Sequence, residues 1–231
     1  MNPVTDRAAM FAQLRAGMAE LGLAAEVAAV DALLDYLELL TRWNSAYNLT
    51  SIRAPEQMVT HHLLDSLAAA PFVQGERLAD IGTGAGLPGI VLAIVRPDLQ
   101  VELVEPLLRR TTFLQEAVDT LELDNATVVR SRAEDLPRAS YDVVTSRAVA
   151  PLGKLARWCL PLCVEGGLML AMKGESAEEE LDASERELAK LGAELWHIHQ
   201  LGGDELALPT TVVSIVAGRA AGGSRHGRHG R

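Results

Sequence analysis

The chain has 231 residues, 48% of them hydrophobic, enough for one α/β domain with an added subdomain and too few for two large domains. The formal net charge is -10, and no apolar run approaches the roughly 18 residues of a membrane-spanning helix. Without its last thirteen residues, which carry four Arg and no acid, the body holds 17 basic and 31 acidic residues, a balance that confines any nucleic-acid contact to a local basic patch or to the tail.

The N-terminus lacks the basic-then-apolar order of a secretory signal, so the expected location is the cytoplasm. Residues 5–22 and 26–44 read as helices, the second with an apolar stripe of Val27, Val30, Leu34, Leu37 and Leu40. WNSAYNLT, 43–50, has the Asn and Ser of a turn. A third helix is predicted from Pro55, a good first-turn residue, to about Ala70. His61, His62 and Asp65 on it are read as a packed helical face rather than a metal cluster.

From residue 77 the pattern changes. RLADIG, VELVE, ATVVRS, YDVVTS, GLMLAMK and TTVVSIVA are short β-rich runs. Helix-length segments at 88–96, 107–122, 152–161 and 175–191 separate most of them, which predicts a mostly parallel sheet covered on both faces. Strands around 193–200 and 210–218 follow one another without a helix and predict an antiparallel edge. In 175–191 the acids form a solvated face, while Leu181, Leu188 and Leu191 form a buried one. Cys159 and Cys163, four apart on a helix, read as reduced, packed thiols. The tail from Arg219 is Gly- and Arg-rich and is expected to be disordered.

The segment LADIGTGAGLPG, 78–89, places four glycines after the first strand. Its spacing fits a dinucleotide loop or an S-adenosylmethionine (SAM) loop, and Glu105, at the end of the second strand, suits the ribose of either. Asp80 favours SAM: a carboxylate at that strand end would repel a pyrophosphate and attract the ammonium and sulfonium of SAM through space. Glu134, after the third strand, is a third strand-end acid, placed to help hold an adenine.

The segment after the fourth strand, TSRAVAPL, has neither the Asn-Pro-Pro-aromatic run that holds an exocyclic amine nor a Pro-Cys nucleophile. The remaining acceptor needs no covalent help, and guanine N7 is one, because its lone pair is free at neutral pH. Positioning then carries the catalysis. A cation on the neighbouring O6 would orient the base. Arg147 is the first candidate and Lys173 the second. Because the A-form major groove excludes side chains, the target must lie in an opened segment of RNA. A SAM enzyme with a small-molecule or protein acceptor, a SAM-holding ribosome-binding module and a nicotinamide oxidoreductase are the competing readings.

WNSAYNLTS, HHLLDSLAAAP, DIGTGAGLPGIVLAIVRPD, SRAEDLP, SRAVAPL and MKG occur in this order, and over roughly residues 20–218 the chain resembles the RsmG (GidB) family of bacterial ribosomal RNA methyltransferases. The resemblance implies a class I, Rossmann-like SAM methyltransferase that modifies guanine N7 in the decoding region of 16S ribosomal RNA. It implies an N-terminal helical extension over 1–72, a methyltransferase domain over 73–218 and a separate tail over 219–231. It places cofactor contacts at Gly82, Leu87, Ala133, Glu134 and Arg147, so that Arg147 has both a cofactor-side and a base-side reading. Arg109 and Arg110 stand where the family carries basic residues. Acids normally serve a helix start better, so this pair reads as a phosphate-facing patch. VEP at 104–106 departs from the family's usual Asp-Ser and leaves the ribose contact of Glu105 open. Monomeric protein, 16S RNA as partner and no membrane association complete the expectation.

Overall fold

The structure, a computed structural model, describes residues 6–147, 149–201 and 210–218. The Arg-rich tail and its expected disorder lie outside these residues. Among them no helix is long and apolar enough to cross a membrane.

Two helices open the chain. In α1 (Arg7–Glu20) the Asp6 carboxylate accepts from the Ala8 and Ala9 N–H groups and caps the first turn. In α2 (Val27–Tyr47) the predicted stripe is buried from Val30 onward, whereas Val27 is exposed. The helix also runs three residues past its predicted end. Asn44, read as a turn residue, is buried: its amide donates to the Ile52 carbonyl at 3.0 Å and accepts from Thr50 N–H at 2.9 Å. The left-handed turn falls at Asn48 instead. The Arg53 guanidinium then covers this end of α2, donating to the Asn44 carbonyl at 2.9 Å and to the Asn48 side chain.

The third helix is interrupted. Pro55–Met58 (α3) is α-helical, Val59–Leu64 is π-helical and Asp65–Leu67 (α4) returns to α. Wide turns of this kind collect at functional sites. Here the wide stretch carries His61 and His62, and the His61 carbonyl accepts a bond from across the molecule.

The sheet has the order β3-β2-β1-β4-β5-β7-β6. Its parallel strands are β1 (Arg77–Ile81), β2 (Gln100–Val104), β3 (Ala126–Val129), β4 (Tyr141–Arg147) and β5 (Cys163–Lys173). Strands β6 (Ala193–Leu201) and β7 (Thr210–Ala217) are antiparallel, as the missing helix between them predicted. Helices α5 (Gly89–Val95), α6 (Leu108–Thr120), α7 (Leu152–Cys159) and α8 (Ala177–Lys190) make the crossovers.

Two apolar cores flank the sheet. One joins Leu78, Leu103, Val143 and Leu170 to Leu14, Leu34, Leu37 and Leu63, so the N-terminal helices form one layer with α5 and α6. The other packs α7 and α8 on the opposite face through Leu155, Cys159, Leu181 and Leu188. Cys159 and Cys163 are both free and buried. The strand order reverses between β1 and β4, and in open α/β sheets the crevice beyond that point takes the ligand.

Candidate active site

A cavity of about 1260 Å³ opens beyond the carboxyl ends of the strands. Its walls come from the loop after β1, the ends of β2 and β4, the turn after β3 and the N-terminal segments near Thr50 and His61. Gly82, Leu87, Glu105, Ala133, Glu134, Arg147, Arg110 and Lys173 all line it, whereas Arg109 lies outside.

The loop is shaped by two glycines with different constraints. Gly86 has φ +90°, and a Cβ there would stand 2.4 Å from Ile90 Cδ1. Gly84 has φ +61°, but a Cβ there meets nothing closer than the Gly82 carbonyl at 3.7 Å. Gly86 is therefore fixed by packing, while Gly84 exposes backbone to the cavity.

Asp80 does something other than expected. It is fully buried beneath the loop and does not line the cavity. One carboxylate oxygen accepts from Thr83 Oγ1 at 2.5 Å and Gly89 N at 2.8 Å, while Oδ1 has no partner in the structure. Burial pushes its pKa up to about 6, despite the bonds from Thr83 and Gly89 and the charge of Arg147. Asp80 shapes the ligand loop from below rather than facing a sulfonium. The buried Tyr36 hydroxyl, from α2, supports the loop on its other side by donating to the Ala85 carbonyl at 2.5 Å.

Glu105 is 2% exposed. It accepts from Gly84 N at 3.2 Å, Leu107 N at 3.1 Å and the Arg110 guanidinium at 3.3 Å. It thus ties the glycine loop to the start of α6. Its Oε1 accepts from Leu107 alone among the described residues and keeps acceptor capacity. Ala133 is buried and Glu134 exposed on a single 3₁₀ turn, with Leu87 and Val104 adding apolar wall.

Arg147, at the end of β4, is 19% exposed. Its Nη1 donates to the His61 carbonyl and to Asp65 Oδ2, each at 2.9 Å. Asp65 Oδ1 accepts from Thr210 Oγ1 at 2.8 Å. Nη2 and Nε of Arg147 have no protein partner among the described residues, so donors remain for a ligand. His62, close by, has Nδ1 against the His61 carbonyl and Nε2 against Thr50 Oγ1. Burial and the charge of Arg147 hold it neutral, with its pKa lowered to about 4.

The paired arginines separate. Arg110 turns to Glu105, while Arg109 stacks on the Tyr47 ring with its guanidinium carbon 5.7 Å from the ring centroid. Lys173 is engaged elsewhere: its ammonium, 6% exposed, donates to the Ala150 carbonyl at 2.6 Å and Glu180 Oε2 at 2.7 Å. Burial raises the Glu180 carboxyl, but bonds from Lys173, Leu152 N–H and Ser176 outweigh it and leave its pKa below the ordinary value.

Sequence reasoning missed Tyr36 and Thr210, and it placed Asp65 on a packed helical face without its partner Arg147. For Tyr36 the available signal was a phenol within an otherwise aliphatic helix face, which needs a partner for its hydroxyl when buried. For Asp65 it was an acid within an apolar helix.

The family model for rRNA small subunit methyltransferase G matches residues 29–208. The chain belongs to that family. A Stenotrophomonas maltophilia ribosomal RNA small subunit methyltransferase G is 52% identical over 175 residues, covering 75% of this chain and 82% of the relative. One from Chromohalobacter salexigens is 49% identical over 170 residues, covering 74% and 82%. A solved 16S rRNA (adenine(1408)-N(1))-methyltransferase from Catenulisporales acidiphilia shares the fold, with TM-score 0.52 and 18% identity over 68% of this chain and 91% of that one. The segment matched to the G family includes the glycine loop, Glu105, Glu134 and Arg147, and also Tyr36 and Asp65 from the N-terminal helices.

Proposed function

We propose that this chain transfers a methyl group from SAM to N7 of a guanine in 16S ribosomal RNA, as a monomer in the cytoplasm. The carrying observation is the shared cavity. The open Gly84 backbone, Glu105, Glu134 and Arg147 line one space at the reversal of strand order, in a chain of the rRNA small subunit methyltransferase G family.

The residues present fit SAM. Backbone open at Gly84 allows close approach, Glu105 and Glu134 supply acceptors for ribose hydroxyls and an amine, and Leu87, Val104 and Ala133 supply apolar wall. We assign Gly82, Leu87, Glu105, Ala133, Glu134 and Arg147 to this contact, in a domain over 73–218 that carries the helical extension 1–72. When bound, SAM supplies an electrophilic methyl group on a sulfonium.

Guanine N7 needs no general base, and transfer from sulfonium to nitrogen moves a positive charge without creating one. The protein's work is alignment and exclusion of water, which is worth up to roughly 7–11 kcal/mol in favourable systems. Arg147, held at Nη1 by Asp65, offers its remaining donors to the base edge, where O6 and N7 are both acceptors. The neutral His62 places no second cation beside it.

The test uses labelled SAM with 16S RNA and with small subunits from cells lacking the gene, and maps N7-methylguanine by cleavage after reduction and aniline treatment. Cleavage at a single guanine is the expected result. Label in RNA without cleavage would displace N7, and no label in RNA despite SAM binding would displace the RNA acceptor.

A further inference from the structure

We propose that single-stranded RNA beside the target base crosses the protein where the C-terminal end of α2 meets the N-terminal end of α6, with Tyr47 and Arg109 as its stacking platform. This rests on the RNA reading above and identifies the surface that reading leaves open.

The platform is the outer end of an aromatic ladder. Phe113 is buried, Trp43 packs on it with ring centroids 5.5 Å apart, and Tyr47 packs on Trp43 at 4.9 Å. Trp43 Nε1 donates to Glu116 at 2.9 Å, which anchors the middle rung. Tyr47 is 42% exposed, and Leu107 and Leu108, which precede Arg109 at the start of α6, are 55% and 59% exposed. A rigid aromatic with bare aliphatic neighbours is a costly surface to leave in water unless something covers it.

Charge specifies the occupant. Arg7, Arg77, Arg96, Arg110, Arg147 and Arg157 all sit in ion pairs. Eight other described arginines, at 15, 42, 53, 109, 130, 132, 138 and 186, have no carboxylate within ion-pair distance among the described residues, and what sets Arg53, Arg109 and Arg132 apart is where they sit. Arg53 caps α2 next to Tyr47, Arg109 stacks on Tyr47, and Arg132 lines the cavity mouth. In a chain with 31 acids, the guanidinium groups of Arg109, on the Tyr47 ring, and Arg53, at the same end of α2, select an anionic, planar partner. Single-stranded RNA provides both: phosphates for Arg53, Arg109 and Arg132, and a base for Tyr47 or the Arg109 plane.

The surface also leads to the right place. Leu107, at the start of α6 just before Arg109, also lines the cavity, as does Arg132, so a strand lying on Tyr47 and Arg109 has a route into the site along the start of α6. Lys173, on the far side of the cavity, is bound to Glu180 and offers no comparable contact.

The experiment compares Y47A and R109A with wild type and with R186A, a charge deletion on exposed α8. SAM affinity is measured by calorimetry, KM and kcat with small subunits, and RNA affinity over a series of salt concentrations. The expected result is a KM for subunits about tenfold higher in Y47A and R109A, the size of one lost stack. For R109A the slope of log affinity against log salt falls by about 0.7, the value for one single-strand phosphate contact. SAM affinity and R186A stay at wild-type values. Unchanged KM and slope in both variants, while wild type methylates RNA, overturn the surface and spare the function. Loss of SAM affinity in R109A matching the KM change assigns Arg109 to the cofactor loop and also overturns it. SAM binding by wild type with no RNA product overturns both readings.

Discussion

Arg147 and Asp65 stand 2.9 Å apart although 82 residues separate them. The ion pair joins the end of β4 to the N-terminal helices at the edge of the cavity, and Thr210, at the start of β7, completes it. Both side chains are largely shielded, at 19% and 28% exposure, so the pair is screened less than a surface one. D65N keeps an acceptor for Thr210 and removes the charge that holds Arg147. It is expected to lower kcat at least tenfold, with a stability loss of about 2 kcal/mol, below the full cost of breaking a buried pair. Single-turnover methylation and urea unfolding check this, and wild-type kcat in a folded D65N would remove Asp65 from the positioning of Arg147.

Tyr36 joins α2 to the glycine loop through the Ala85 carbonyl, so cofactor affinity is expected to depend on α2. Y36F leaves the ring in its core position and leaves the Ala85 carbonyl without its donor. An unsatisfied buried acceptor costs about 1–3 kcal/mol. Because Ala85 is in the ligand loop, part of that cost is expected as weaker SAM binding. Calorimetry on Y36F reads it, and unaltered SAM affinity would show that the loop holds its shape without α2.

Two buried groups give stability opposite dependences on pH. Burial raises Asp80 to about 6 from an ordinary carboxyl value near 3.9, so its contribution is present at low pH and is lost as pH rises through roughly 4 to 6. Burial and Arg147 lower His62 to about 4 from near 6.5, so its contribution is present above 6.5 and is lost as pH falls through roughly 6.5 to 4. D80N is expected to show stability climbing from pH 4 to 6.5, and H62Q to show it declining over pH 4 to 6. Chemical denaturation at stepped pH measures both, and parallel profiles for the two variants would contradict the assignment.

The two loop glycines separate stability from binding. G86A drives a methyl group into Ile90 and Leu114 in addition to its positive φ, and about 3 kcal/mol of destabilisation is expected. G84A makes only ordinary van der Waals contacts, with the Gly82 carbonyl and Arg110, and carries backbone strain alone, about 1 kcal/mol, but puts its methyl where a ligand would approach. Thermal unfolding should therefore rank G86A as the worse variant. SAM affinity, measured well below either Tm, should still fall in G84A.

The fold was readable because periodicity is a local property. The alternation of β-rich runs with helix-length segments fixed the parallel core, and the missing helix before Thr210 fixed the antiparallel edge. The third helix was legible from Pro55, but its π-helical stretch was not, because the bonds at His61 and His62 come from Arg147 and Thr50, distant in sequence. Strand-end position grouped Asp80, Glu105 and Glu134, and of these the structure puts Glu105 and Glu134 on the cavity wall. Which of them faces a cavity depends on the loop folded above: Asp80 lies beneath that loop and Glu105 is braced against it. Lys173 and Arg110 were legible as cations, but their carboxylate partners were not.

A Cβ on Gly82 would stand 2.8 Å from Val149 Cγ2, so the first glycine of the loop is packed directly on the segment that follows β4. If the proposed donor and acceptor sides hold, they are therefore not independent modules. Redesigning the chain for a different methyl acceptor by enlarging or reshaping residue 149 would press on the cofactor loop at the same moment. Altered selectivity here would require paired changes on both sides of that contact.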